Sequence, residues 1–296
     1  MTKVGIALLP EINPATDDRW ARIETFGFAH AWCLDHLAWR SLADSPWHAT
    51  VPTLAAAALT TRRLSLGTFV ATPNFRHPVP FSKELMTLDV MSAGRLTVGV
   101  GPGTPGLDST ILGGPQLDPR ERMNRFEEFL TLLDLLLRQR RTTWSGRWFN
   151  AVDARTVPTP TQRPRPDLVV AANGPRGMRI AAQHGDAWVT MGTAPFGSPP
   201  KEWWSGVGQA ARRFDEVAAA AGGTRPGFRR YLDMGAGPGP AASKDKVCAD
   251  ILRARDLGFT DVVIPWPRTN EPYTGSESVF EDLAEHLDAH GELVHT

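Results

Sequence analysis

Short apolar runs alternate along the chain with longer segments in which apolar residues recur every three or four positions. The first pattern predicts strands buried on both faces, as in parallel sheets, and the second predicts amphipathic helices. The segment from Leu64 to Gly103 shows both patterns and predicts strand, loop, helix and strand. In such a βαβ unit, polar residues at the carboxyl end of the first strand face a ligand. Those residues are Thr72, Asn74, Arg76 and His77.

The same alternation continues over the whole chain and predicts eight strands and eight helices. The predicted strands are Val4–Leu9, Ala31–Leu34, Leu64–Ala71, Arg95–Val100, Leu168–Ala172, Ala187–Met191, Phe228–Met234 and Asp261–Ile264. The predicted helices are Asp17–Gly27, Pro52–Thr61, Phe81–Met91, Arg120–Arg138, Arg176–His184, Lys201–Ala221, Ser243–Leu257 and Ser276–His290. Strict alternation favours a (β/α)8 TIM barrel, with a doubly wound open sheet as the alternative, because alternation alone does not show closure.

Two irregular segments, near 104–119 and 139–167, interrupt the pattern as insertions. Long excursions of this kind are uncommon in compact domains and often form lids or partner-binding elements. We therefore expect a single barrel domain over residues 1–296, with its insertions shaping a substrate pocket.

Composition points to a small-molecule partner. Lys plus Arg equals Asp plus Glu at 32 each, so no net charge attracts nucleic acid or an anionic membrane. The two cysteines, Cys33 and Cys248, are too few for a disulfide framework or a metal site. With no apolar run of membrane-spanning length and no charged leader, the sequence predicts a cytoplasmic protein.

The residues just past each strand converge on one face of a barrel. This set has no zinc-type His/Cys cluster and no serine in a nucleophile elbow, so a cofactor is expected to supply the chemistry. The set comprises Glu11, Asp35, His36, Thr72, Asn74, residues 101–104, Asn173, Gly174, residues 190–192 and Trp266.

Asp35-His36 is the best acid/base candidate, because histidine exchanges protons near neutral pH and a neighbouring carboxylate can hold it charged. The alternative is an ordinary hydrogen-bonded loop histidine. Asn173-Gly174-Pro175-Arg176-Gly177 is the candidate phosphate turn, since a strand ends there at a helix amino terminus that carries arginine. The same turn is also an ordinary link between strand and helix. Residues 101–106 match G-x-G-x-x-G, but prolines occupy two variable positions and no helix begins there, which argues against a nicotinamide site.

Five stretches together identify a family: IETFGFAHAWCLDHL, LSLGTFVATPNFRHP, TLDVMSAGRLTVGVGPG, RFEEFLTLLDLLL and VVAANGPRGMRIAAQHGDAWVTMG. On these stretches the chain resembles the bacterial luciferase-like family of flavin- and deazaflavin-dependent oxidoreductases over nearly its whole length. The resemblance implies a (β/α)8 barrel, usually a homodimer, with the cofactor ring at the carboxyl end of the strands and its phosphate near the fifth strand's turn.

Members of this family use either FMN or the deazaflavin coenzyme F420. GTFVATPNFRHP is similar to the equivalent stretch of F420-dependent glucose-6-phosphate dehydrogenases, which implies F420, with FMN as the alternative. That similarity also implies a cis bond between Phe69 and Val70, forming a bulge behind the ring, and His36 beside the reacting carbon. The residues expected around the cofactor are Asp35, Phe69, Val70, Thr72, Gly103, Asn173, Gly174, Arg176 and Gly177.

The chain departs from those dehydrogenases at three positions. Thr104 replaces a catalytic Glu, Pro102 replaces a Thr, and Trp39 lies one residue early, with Arg40 where the catalytic Trp is expected. These departures argue against sugar phosphate oxidation. The resulting hypothesis is an F420H2-dependent reductase of an activated C=C or C=N bond, with His36, assisted by Asp35, as proton donor. The alternatives are an FMN-dependent monooxygenase and a non-catalytic flavin or deazaflavin carrier.

Overall fold

The computed structural model describes residues 2–12 and 18–289. Its strands are β1 (Lys3–Leu8), β2 (His30–Cys33), β3 (Ser65–Ala71), β4 (Leu96–Val100), β5 (Arg141–Ser145), β6 (Asn150–Arg155), β7 (Asp167–Ala171), β8 (Ala187–Thr190), β9 (Arg229–Asp233) and β10 (Asp261–Pro265). Its helices are α1 (Arg19–Thr25), α2 (Thr50–Thr60), α3 (Pro78–Met91), α4 (Leu107–Thr110), α5 (Pro119–Arg138), α6 (Pro175–His184), α7 (Pro200–Ala220), α8 (Lys244–Asp256) and α9 (Ser278–Ala289). Short 3₁₀ turns lie at Arg40–Leu42 and Met234–Ala236.

Eight of the strands form a closed barrel in the order β1-β10-β9-β8-β7-β4-β3-β2. The pairings β1–β10, β10–β9, β9–β8 and β3–β4 are parallel. The (β/α)8 barrel is thereby confirmed, and the open doubly wound sheet is excluded.

The predicted elements occur where the periodicity placed them, with ends that differ by a few residues. Helix α3 begins at Pro78 and not at Phe81, because proline fits the first turn of a helix and His77 Nδ1 accepts a hydrogen bond from Val79 N at 3.2 Å. The predicted helix ends at Asp17 and His290 lie outside the described residues.

The pairing of β3 with β4 shifts register between Thr68 and Ala71, and the Phe69–Val70 peptide bond is cis. Both features were expected from the family resemblance. Gly99 on β4 faces this irregularity, and a Cβ there would collide with the carbonyl oxygen of Thr68. The hydroxyl of Thr68 donates to the carbonyl of Gly99 at 2.8 Å, which holds the two strands together beside the bulge.

The segment 139–167 is not irregular, contrary to expectation. Strands β5 and β6 pair there as an antiparallel two-stranded sheet, separate from the barrel. Within 104–119 the chain forms the single-turn helix α4, followed by a loop that leads into α5. The predicted apolar stripe of α5 is buried, with Phe126 and Phe129 both at 0% exposure.

The chain groups into two compact units. Unit 1 comprises Met1–Leu8, Asp18–Trp32 and Val170–Thr296, and unit 2 comprises Leu9–Asp17 and Cys33–Val169. The single-domain boundary of 1–296 stays a prediction. Within the described ranges, no helix has both the length and the apolar character needed to cross a membrane.

Candidate functional site

Asp35, which follows β2 in unit 2, is buried and bound by an arginine. Arg76 donates to both carboxylate oxygens of Asp35, at 3.0 and 2.6 Å, and to Glu84 at 3.0 Å. Burial lowers the pKa of Arg76, but the hydrogen bonds and negative charge of Asp35, with the charge of Glu84, raise it above its ordinary value overall. A guanidinium bound in this two-point manner fixes the loop after β3 to the end of β2.

His36 also contacts a carboxylate, but it is that of Asp108. His36 Nδ1 lies 2.5 Å from Asp108 Oδ2, and the backbone N–H of Leu37 donates to Asp108 Oδ1 at 2.7 Å. Asp108 is buried on α4. The carboxylate in contact with His36 is thus that of Asp108, while the Asp35 carboxylate is bound by Arg76. The expected assistance of His36 by Asp35 stays a prediction. A carboxylate at Nδ1 orients the imidazole so that Nε2 is the nitrogen available for proton exchange.

Two tryptophans lie beside the His36 ring. Trp39 and Trp47 stack with their ring centroids 5.9 Å apart, and they lie 6.2 and 6.1 Å from the imidazole. Trp47 Nε1 donates to the backbone oxygen of His36 at 2.8 Å. The His36 side chain keeps 25% exposure, so it remains accessible within a largely apolar surrounding.

Asn74 joins the loops that follow β3 and β4. Its Nδ2 donates to the carbonyl of Thr104 at 3.0 Å, and its Oδ1 accepts from Arg125 Nη2 at 2.6 Å. Gly103 has φ +72°, and a Cβ there would lie 2.6 Å from Asn74 Nδ2. Only glycine therefore fits at this position without displacing Asn74.

Arg125 is a half-buried cation on α5 whose described contacts leave its charge unneutralised. Its Nε is buried without a hydrogen-bond partner among the described residues, and the partner of its Nη2 is the neutral Asn74 amide. Burial, and next the positive charge of Arg122, lower the pKa of Arg125. A buried donor without a partner is rare in folded proteins, and an anion from outside the chain would satisfy it.

Phe69, Val70 and Thr72 are the remaining predicted cofactor contacts in unit 2. Phe69 and Thr72 are buried, and Val70 is half-buried at the β3 bulge. The Thr72 hydroxyl accepts from the backbone N–H of Asn74 at 3.3 Å, which turns the chain sharply after β3. Their contact with a cofactor stays a prediction.

The candidate phosphate turn lies in unit 1, between β7 and α6. Asn173 is oriented by Thr190, whose hydroxyl donates to Asn173 Oδ1 at 2.6 Å. Gly174 precedes the helix, and a Cβ there would meet no atom within 4 Å. The first turn of α6 carries Arg176, which is half-buried, and Gly177, which is buried. Because first-turn N–H groups lack intrahelical partners, the geometry is compatible with an anion, and phosphate binding stays a prediction.

Sequence reasoning missed Asp108 and Arg125. Asp108 lies in a segment predicted to be irregular, and its contact with His36 spans 72 residues, so no local pattern indicated it. Arg125 lies on a correctly predicted helix. Its spacing of three residues from Arg122 places two positive charges on one face of that helix, and this spacing was the signal that could have indicated an anion contact. The described residues contain no group of three or more His, Cys, Asp or Glu side chains that could hold a metal ion.

Similar proteins were found both by sequence and by structure. An F420-dependent glucose-6-phosphate dehydrogenase of Beutenbergia cavernae is 38% identical over 168 residues, covering 56% of this chain and 49% of that protein. A 4-hydroxyprotoasukamycin monooxygenase of Streptomyces nodosus subsp. asukaensis is 32% identical over 255 residues, covering 85% of this chain and 62% of that protein. An F420-dependent secondary alcohol dehydrogenase in complex with an F420-acetone adduct superimposes with a TM-score of 0.79 at 17% identity, covering 96% of this chain and 97% of that one.

The structural likeness, at 17% identity, shows a shared fold. The chain spans about half the length of the F420-dependent glucose-6-phosphate dehydrogenases that it matches. The family model described as luciferase-like monooxygenase matches residues 14–239, which is most of the 296-residue chain. The chain therefore belongs to the luciferase-like monooxygenase family.

Proposed function

We propose that this protein is a coenzyme F420-dependent oxidoreductase, and specifically a reductase that uses F420H2 to reduce an activated C=C or C=N bond of a small organic molecule. The observation that carries the proposal is the His36–Asp108 pair, a partly accessible imidazole with a buried carboxylate on Nδ1. The F420 dependence named for several relatives supports the choice of cofactor.

In this proposal His36 donates the proton that accompanies reduction, from Nε2. Asp108 holds the imidazole in place through its contact with Nδ1, while Trp39 and Trp47 restrict the access of water to the ring. Bound F420H2 supplies a hydride, so the protein needs to contribute only orientation and a proton.

Each unit, taken by itself, offers one candidate contact for an anionic group of the cofactor. Arg125 offers an unneutralised charge with a buried, unsatisfied Nε, and Gly174 leaves open space in front of a helix amino terminus. Arg125 therefore joins the set expected from the resemblance, namely Asp35, Phe69, Val70, Thr72, Gly103, Asn173, Gly174, Arg176 and Gly177. A cytoplasmic homodimer is also proposed, on the family resemblance alone.

The second candidate is an FMN-dependent monooxygenase. The description of the family and the Streptomyces relative, which aligns with 85% of this chain, both favour it. Such an enzyme would consume oxygen in step with product formation, whereas an F420H2-dependent reductase would turn over equally well without oxygen.

The test is a pair of binding titrations of the purified protein, one with F420 and one with FMN. Intrinsic tryptophan fluorescence is used to monitor binding in both. We expect F420 to bind more tightly, and F420H2 to be oxidised anaerobically when conjugated alkenes or imines are added. A preference for FMN with coupled oxygen consumption would support the monooxygenase instead. Binding of F420 without any change of redox state across the substrate series would indicate a non-catalytic carrier.

A further inference from the structure

Four large apolar side chains in unit 2 are exposed near Asp108, the carboxylate that contacts His36, in sequence or through its hydrogen bonds. Leu37, Leu107, Ile111 and Leu112 are 40%, 41%, 50% and 65% exposed. Leu37 binds Asp108 through its backbone N–H at 2.7 Å, and Leu107 precedes Asp108 in the chain. The contact between Asp108 and His36 therefore places Leu37 and Leu107 next to the candidate proton donor, and Ile111 and Leu112 follow within the same short segment.

The local backbone gathers these side chains and leaves space beside them. Leu107 and Ile111 are four residues apart and joined by a backbone hydrogen bond of 2.9 Å, so they share one face of α4. Gly113 and Gly114 follow, and Gly113 has a positive φ of +71°. A Cβ on either glycine would meet no atom within 4 Å, so there is open space beside this part of the chain. Grouped exposed apolar residues on a folded protein commonly mark a binding surface.

The same segment offers no charge to a polar ligand. Asp108 is the only ionisable residue between Thr104 and Leu117, and both of its carboxylate oxygens are already bonded. Trp39 and Trp47 extend the apolar surroundings on another side of the imidazole. Although the Arg40 guanidinium lies 5.0 Å over the Trp39 ring, the side chains of Leu107, Ile111 and Leu112 offer a ligand only apolar contacts.

We propose that Leu37, Leu107, Ile111 and Leu112 form a subsite for an apolar tail of the substrate, with the reducible double bond at His36. This inference rests on the proposed function and names its substrate class: a neutral molecule that carries an alkyl chain or a comparable hydrocarbon group. Each methylene that the subsite buries should tighten binding about twofold to fourfold, the upper value corresponding to about 0.8 kcal/mol per methylene.

Two linked measurements test the subsite. The first is the Kd of saturated straight-chain alkyl ethyl ketones with four to ten carbons for the protein without cofactor, measured by calorimetry. The second is kcat/KM for the matching alkyl vinyl ketones with F420H2, in which one hydride and one proton add across the C=C bond and F420H2 becomes F420. In the wild-type protein we expect Kd to fall, and kcat/KM to rise, with each added methylene.

Ile111→Ser and Leu112→Ser should flatten both trends, with losses in Kd and kcat/KM that grow with chain length. The matched control is Val152→Ser, because Val152 is more exposed still, at 86%, but lies on the β5–β6 sheet. This control should keep the wild-type dependence on chain length.

A wild-type Kd that does not change with chain length would overturn the subsite, whether or not F420H2 is oxidised. A Kd that falls with chain length, without turnover of any vinyl ketone, would uphold the subsite and count against the proposed reductase. Loss of self-association in Ile111→Ser and Leu112→Ser, together with a flat Kd, would overturn the inference in favour of contact between two copies of the chain.

Discussion

Asp35 and His36 are neighbours in sequence but take part in separate ion pairs. The Asp35 carboxylate binds Arg76, whereas the His36 imidazole contacts Asp108 on α4. Successive side chains of an extended segment point in opposite directions, so adjacency just past a strand does not bring two groups together. At the scale of single residues, Asp35 fixes the loop after β3 through Arg76, and His36 is the proposed proton donor.

His36→Ala should lower kcat about 10²-fold or more with little change in the binding of F420, because the proton donor is lost. Asp108→Asn should lower kcat by a smaller factor, since the imidazole remains but loses the carboxylate that positions it. Turnover of F420H2 with saturating substrate, and the Kd of F420, measure the two effects separately.

The double variant His36→Ala/Asp108→Asn controls for a purely structural role of Asp108. If Asp108 acts through His36, the double variant should be no slower than His36→Ala alone. Losses that multiply would instead show that Asp108 contributes independently of the imidazole. An unchanged turnover rate in His36→Ala would remove the proposed proton donor.

At the scale of elements, the carboxylate of Glu128 on helix α5 binds the turn between β5 and β6. Glu128 accepts hydrogen bonds from the backbone N–H groups of Arg147, Trp148 and Phe149, with shortest distances of 3.1, 3.0 and 2.8 Å. Gly146 completes the turn, and a Cβ there would collide with Glu128. The turn therefore depends on a charged acceptor that lies outside its own segment.

Glu128→Gln should lower the free energy of unfolding by about 1–3 kcal/mol, because hydrogen bonds to a charged acceptor are the stronger ones. The same change should increase proteolysis within residues 145–149 before the rest of the chain is cut. Glu216→Gln, at an exposed position on α7, is the matched control and should stay within about 0.5 kcal/mol of wild type. Equal urea midpoints and equal proteolysis in both variants would contradict this account.

The same two elements show how far sequence reasoning reached. Helix α5 was predicted because its apolar stripe repeats over 20 residues and is buried along that face. The β5–β6 sheet was missed because its strands are five and six residues long, and many of their side chains are polar and exposed. Of the candidate site, strand ends supplied His36 and Asn74, whereas Asp108 depends on a loop contact that no periodicity describes.

At the scale of the whole molecule, the two ends of the barrel strands carry different kinds of polar group. The residues discussed as a site follow the carboxyl ends of strands, where barrel enzymes bind ligands. His30, Arg229 and Asp261 are instead the first residues of β2, β9 and β10. They form one cluster in unit 1, in which His30 and Asp261 are buried and Arg229 is half-buried. His30 Nε2 lies 3.1 Å from Asp261, and its Nδ1 accepts from Trp32 Nε1 at 2.7 Å. We assign this cluster to stability.

Burial lowers the pKa of His30 below its ordinary 6.5, and the positive charges of Arg229 and Lys3 lower it further. The hydrogen bond and negative charge of Asp261 act in the opposite direction but do not outweigh burial. The Trp32 hydrogen bond agrees, because it requires Nδ1 without a proton. Below about pH 6.5 His30 is therefore protonated in the unfolded chain but remains neutral in the folded chain. The free energy of unfolding consequently falls as pH falls.

Burial alone would raise the pKa of Asp261, but the hydrogen bonds and charges of His30 and Arg229 lower it, which adds a second loss of stability below about pH 3.8.

His30→Gln tests the first loss, because glutamine can donate to Asp261 and accept from Trp32 without titrating. Between pH 6.5 and pH 5 the wild-type protein should lose up to about 1.4 kcal/mol per pH unit more than this variant, in urea unfolding. His184→Gln, at an exposed end of α6, should follow wild type. Parallel curves for wild type and His30→Gln would show that the buried imidazole contributes nothing to acid sensitivity.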